Sequence, residues 1–136
     1  MTIADWCLLG AVLLYLLTVA PVKALNYRTF DNSRPRDPSF YGAPLKGRAL
    51  GAHLNGVETY PFFATAVILA EFRAAPQPLI DELSVGFLVL RFAYVLAYLG
   101  NRPTLRTILW NLAFLANLAI FLLPAVGDYP WMPRFL

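Results

Sequence analysis

The sequence predicts an all-α integral-membrane protein, a four-helix bundle with up-down connectivity, and three observations carry that prediction. The 136 residues are 59% hydrophobic and only 14% charged, with a mean hydropathy of +0.57, which is too apolar for an ordinary soluble domain. No charge falls between Asp5 and Lys23 or between Arg106 and Asp128, and each gap approaches the roughly 20 apolar residues that span a hydrocarbon core. Two more stretches of that length, 49–70 and 83–101, are interrupted only by Glu58 and Arg91 among acidic and strongly basic residues.

The elements follow in order. The first helix is expected over about residues 4–25. No Lys or Arg precedes its uncharged span, Asp5 does, and no small-residue cleavage pattern follows its apolar core, so it reads as a retained helix and not as a signal peptide. Residues 26–47 carry prolines at 35, 38 and 44 and glycines at 42 and 47 without helical or strand periodicity, which predicts an irregular basic flap against the membrane surface. The second helix is expected over about 48–73, with Pro61 inside it. Pro76 and Pro78 mark a tight turn before a third helix over about 80–100, whose first turn would hold Asp81 and Glu82. Asn101 and Pro103 mark the next turn, and the fourth helix takes about 105–125. Residues 1–136 form a single domain.

Charge sets the expected orientation. Lys23, Arg28, Arg34, Arg36, Lys46 and Arg48 surround the first loop, whereas the second offers Arg73 against Glu71, Asp81 and Glu82. Short basic loops stay in the cytoplasm, so both termini are placed on the non-cytoplasmic side of a multi-pass protein. The lean loops point to a bacterial inner membrane. The net charge of +3 lies mainly between helices and speaks to orientation, not to nucleic acid. The single cysteine, Cys7, excludes an intrachain disulfide and a multi-Cys metal site, and the lone His53 builds no metal site.

The polar residues inside the spans form stripes. Arg48, Asn55 and Glu58 share one side of the second helix, and Arg91, Tyr94 and Tyr98 share one side of the third. At about 1.5 Å per residue, Glu58 and Arg91 both lie roughly 15 Å from the cytoplasmic ends of their helices. An isolated charge at mid-membrane costs about 2.5–3.5 kcal/mol, so the two are expected to pair, within one chain or across a subunit boundary, leaving Asn55 free for a ligand. His53 points away from the stripe and reads as a structural histidine. Tyr60, Trp110, Trp131 and the PWMPRF tail read as packing or interfacial aromatics. Asn111 and Asn117 read as interhelical hydrogen-bond partners.

The run RALGAHLNGVETYPFF, Arg48 to Phe63, resembles the second-helix signature of the MAPEG family, the membrane-associated proteins of eicosanoid and glutathione metabolism: Arg-Ala, then Asn55, Glu58 three later and Pro61 three after that. RFAYVLAY supplies Arg91, Tyr94 and Tyr98 in the family's Arg-x-x-Tyr-x-x-x-Tyr pattern. The resemblance covers essentially the whole chain. It implies a homotrimer that binds glutathione, as co-substrate, between subunits near the cytoplasmic face. It assigns ligand contacts to Asn55, Glu58, Tyr94 and Tyr98, with Arg48 and Arg91 as further polar contacts. Arg106 would lie near the sulfur, with Arg102 as its competitor, and Tyr94 or Tyr98 would donate to the same sulfur. The implied function is a glutathione-dependent transferase or peroxidase acting on a hydrophobic electrophile or lipid hydroperoxide. One departure favours an alternative: family members that use glutathione carry Arg four residues before the Asn, where this chain has Gly51. The alternative is a noncatalytic membrane protein of the same fold that has lost glutathione binding.

Overall fold

The computed structural model describes residues 1–126; Trp131 and the 130–135 stretch lie outside them. Four helices, α1 (Ile3–Leu25), α2 (Pro44–Phe72), α3 (Gln77–Leu99) and α4 (Pro103–Val126), run up and down, and the described residues contain no strand. Three of these begin at or beside proline. Pro44 opens α2 four residues before Arg48, and Pro78 sits in the first turn of α3. Proline suits a first turn because its missing N–H would have no intrahelical partner there. Composition alone assigns Pro44 to the irregular loop, and its position makes it the opening residue of α2 instead.

The early start of α3 corrects the expectation for Asp81 and Glu82, which lie beyond its first turn. Asp81 acts across the bundle instead, accepting a hydrogen bond from the Ala4 N–H of α1 at 2.9 Å. Thr2 and Asp5 close a reciprocal capping box on the same helix end, at 3.1 and 2.8 Å. Both short turns finish in the left-handed region, at Ala74 (φ 52°) and Asn101 (φ 55°). In each, the next N–H reaches five residues back, Ala75 to the Ala70 carbonyl and Arg102 to the Ala97 carbonyl, both at 2.9 Å.

α2 and α3 form the central pair; α1 and α4 each pack on both of them and do not meet each other. From α1, Ala4, Cys7, Ala11 and Tyr15 enter the core at helical spacing, so Cys7 is a buried apolar filler. The rings of Phe63 and Phe87 stack at 4.0 Å between α2 and α3. Gly56 lets α1 approach α2: a Cβ there would lie 2.7 Å from Tyr15 Cε1, too close for any side chain.

The bundle is apolar outside and locally polar within. Leu17, Val89 and Leu115 are exposed while Arg91, Ser84 and Asn117 are buried, the reverse of what water selects. α1 and α4 are the described helices both long and apolar enough to cross a membrane, each with mean hydropathy 2.0. Residues 26–43 fold into successive turns around their own aromatic cluster, where Phe40 meets Phe30 at 5.1 Å and Tyr41 at 4.9 Å. Lys46 lies 4.2 Å above Phe40 and Lys23 5.0 Å from Phe30. Asp31 and Asp37 accept hydrogen bonds from Ser33 and Ser39, which hold both carboxyls below the usual carboxylate range.

Candidate functional site

The central helix pair brings the two predicted stripes together, but with different partners. Arg91 is 1% exposed. Both terminal nitrogens of its guanidinium donate to Asn55 Oδ1 at 3.0 Å, and the ring of Tyr94 lies 4.4 Å to one side and that of Tyr15 5.5 Å away. Glu58 is exposed and has no ion pair among the described residues. The expected Glu58–Arg91 pair is therefore absent within the chain, and the Asn55 oxygen is not free. Depth counting compares Cα positions, whereas Asn55 and Glu58 differ by only about 4.5 Å along the axis, less than the reach of an arginine side chain. A neutral amide oxygen and two ring faces then solvate the guanidinium without a second desolvated charge.

Arg48 also turns inward, its Nε donating to the Leu99 carbonyl at 3.0 Å. That bond caps the C-terminal end of α3, where a cation is favoured. Close by, Tyr98 lies over Gly51. Its ring carbon Cζ would be 2.9 Å from a Cβ at that position, and its hydroxyl nearer still. Tyr98 therefore fills the room that a side chain at residue 51 would need.

Beyond Tyr98 lies the second arginine. Arg106 is half-buried and its guanidinium sits 4.5 Å over the Tyr98 ring, with no ion pair or side-chain hydrogen bond among the described residues. Together with Tyr94, Thr107 and Trp110 it lines a cavity of about 140 Å³. Tyr94 meets Tyr98 edge to face at 5.7 Å, and Glu58, Arg91 and Arg106 are all near enough to act electrostatically on Tyr94. Arg102 is exposed at the turn and takes no part in this cavity. An unpaired guanidinium above a ring, beside a tyrosine, can hold an anion.

The remaining polar residues divide. His53 faces away from the stripe and its Nδ1 lies 2.8 Å from the Tyr15 carbonyl of α1. Asn111 donates to the Thr107 carbonyl of its own helix at 2.8 Å, and Asn117, 7% exposed, makes no side-chain hydrogen bond among the described residues. The expected interhelical bonds from these two are thus absent among the described residues. Sequence reading missed Tyr15, Thr107 and Trp110 as neighbours of the site. Tyr15 alone had a signal, lying on the same α1 face as Ala4, Cys7 and Ala11.

No curated protein and no solved structure matches the chain. The MAPEG family model matches residues 3–126, the whole described bundle apart from its first two residues. The chain is a membrane protein and belongs to the MAPEG family.

Proposed function

We propose that this protein is a glutathione-dependent transferase or peroxidase that activates the thiol as thiolate beside Arg106, for attack on a hydrophobic electrophile or lipid hydroperoxide. The observation that carries the reading is the Arg106 guanidinium over Tyr98, unpaired among the described residues, at a cavity shared with Tyr94. A thiol of ordinary pKa, about 8.5, is roughly 3% ionised at pH 7. A cation that lowered it by about two units would raise that to roughly three quarters and favour the thiolate by about 2.7 kcal/mol. The Tyr94 or Tyr98 hydroxyl would donate to the sulfur. Lower basicity returns part of the gain as weaker nucleophilicity.

In this reading all four helices cross the bilayer, the basic 26–43 loop is cytoplasmic, and three copies assemble around the α2–α3 stripes. Glu58 supports that assembly, because an exposed carboxylate with no partner among the described residues is costly in a membrane. A neighbouring subunit or the ammonium group of a bound peptide would neutralise it. Arg48, Asn55 and Arg91 would then be the framework that holds the cleft's shape, with Asn55 contacting ligand through its remaining amide hydrogens.

A specific observation favours the second reading, a noncatalytic scaffold. Tyr98 occupies the place of the missing residue-51 side chain and Asn55 already serves Arg91. Calorimetric titration of glutathione into purified protein, with absorbance in the thiolate band, separates the two. The enzyme reading expects saturable binding and a thiolate signal that disappears in Arg106→Gln. Absence of binding at millimolar glutathione would leave the scaffold.

A further inference from the structure

Three helices meet at one ring. Tyr98 of α3 lies over Gly51 of α2, where an added Cβ would stand 2.9 Å from its Cζ and 3.3 Å from its Cε1, with the hydroxyl nearer still. From α4, the Arg106 guanidinium sits 4.5 Å over the same ring. On a third side Tyr94 meets it edge to face at 5.7 Å, and Tyr94 is itself held against Arg91 at 4.4 Å. Tyr98 is thus bounded by Gly51, Tyr94 and Arg106, and a ring pushed off the first changes its place against the other two.

The ring matters to Arg106 because little else holds it. The Arg106 side chain makes no ion pair and no hydrogen bond among the described residues. A free arginine side chain spreads over many rotamers, whereas a ring face beneath the guanidinium is an attractive seat. Room for that seat depends on residue 51 having no side chain. Ordinary carbon contact begins near about 3.5 Å, so Cζ would have to retreat by roughly 0.6 Å from a Cβ there. The clash falls on the movable tip of a side chain and not on backbone, so the ring gives way while the helices keep their places. Tyr94 and Arg106 line the cavity of about 140 Å³ with Thr107 and Trp110, and Tyr98 is not among its lining residues. The supporting and the ligand-facing roles therefore fall on different tyrosines.

We infer that Gly51 is a positioning residue: bare of a side chain, it seats Tyr98, and Tyr98 places the Arg106 guanidinium at the cavity. The inference rests on the thiolate reading for the chemistry that Arg106 performs, while its geometry stands or falls separately. It makes the absent side chain at residue 51 a requirement of the site. A larger residue there acts on a guanidinium of another helix through the ring between them.

The test follows the Arg106 Nε–Hε resonance in full-length protein in nanodiscs carrying isotopically labelled arginine, the resonance being identified by its loss in Arg106→Lys. A ring face shields that proton, so Tyr98→Leu should move the resonance toward the position of an exposed arginine. Gly51→Ala should move it the same way and melt close to the parent, and Gly51→Ala added to Tyr98→Leu should move it no further. With glutathione bound, both single variants should weaken thiol ionisation about fourfold, as a cation withdrawn from about 4 to about 5 Å would. Tyr98→Phe, which keeps the ring, should restore most of what Tyr98→Leu loses. Absence of glutathione binding in the parent sinks the enzyme reading and leaves the resonance to decide the positioning alone. A resonance unmoved in Gly51→Ala, or moved further by it in the Tyr98→Leu background, overturns the inference. So does a Gly51→Ala chain that fails to fold, or unchanged ionisation of the bound thiol despite a moved resonance.

Discussion

The two polar regions of the bundle are built on opposite plans. At the end where α1 begins and α2 finishes, Asp5, Glu71 and Asp81 gather without a cation paired to them among the described residues. Glu71 accepts from the Thr2 hydroxyl at 2.9 Å and from Gln77 Nε2 at 3.1 Å, and Asp81 accepts from Gln77 Nε2 and the Ala4 N–H, both at 2.9 Å. Neutral donors satisfy the carboxylates inside one chain, and the cluster joins α1, α2 and α3. Around α2 and α3 further in, Arg91 and Arg106 are held by an amide oxygen and ring faces, while Glu58 stands without a partner. Polar groups closed on themselves serve the fold; polar groups left open await something that is not among the described residues.

Substitutions should separate the plans. The largest effect is expected for Arg91→Ala, which removes the shared partner of Asn55 and two tyrosine rings and leaves a hole. It should destabilise the bundle by about 3 kcal/mol in detergent unfolding, and Arg91→Lys should not restore the loss because an ammonium lacks the fork. Stability unchanged in both would show that Arg91, though partnered by Asn55, does not serve the fold. Arg106→Gln should do the converse: unfolding within about 0.5 kcal/mol of the parent, with the thiolate signal of bound glutathione reduced about twenty-fold.

At the rim, Asp81→Ala should cost about 1 kcal/mol, as loss of a cap does, and leave ligand binding as it was. A change in thiol ionisation in that variant would break the distinction between the two regions. Ala74→Gly, at the left-handed turn beside the rim, should gain about 0.5 kcal/mol by relieving a Cβ held at positive φ.

The smallest effect concerns acid. Asp31 and Asp37 sit below the ordinary carboxylate range because Ser33 and Ser39 hydrogen-bond their charged forms. Their contribution is complete above the unfolded value of about 3.9 and fades only as pH falls through the lowered folded values. The Ser33 and Ser39 amide resonances should therefore titrate below about 3.9. Midpoints at the ordinary value would show that these turns do not close in solution.

The helices were legible because charge gaps and proline turns are local signals. The start of α2 was not, since Pro44 reads as a breaker by composition and acts as a helix opener by position. The stripes were legible too, but their pairing was not. Spacing puts Asn55 and Glu58 on one face, and only side-chain reach decides which of them Arg91 finds. Asn117 shows the limit of periodicity: a buried asparagine at a helix interface predicts a bond across it, yet the aromatic neighbours leave a void there instead.

α1 is fastened at three points by helices that follow it in the chain, the first being the Thr2 hydroxyl held by Glu71 of α2. His53 of α2 meets the carbonyl of Tyr15, and Asp81 of α3 closes the first turn at Ala4, 77 positions later. A ribosome adding about 5–20 residues per second would need roughly 4–15 s to make that interval. Until Glu71 of α2 emerges late in that interval to accept from the Thr2 hydroxyl, the N-terminal helix has only its own capping box and the lipid to keep its end sealed. Biogenesis of the bundle thus passes through a half-built stage in which α1 waits for its lock, and a stop placed before Asp81 would yield a helix whose amino end is still exposed.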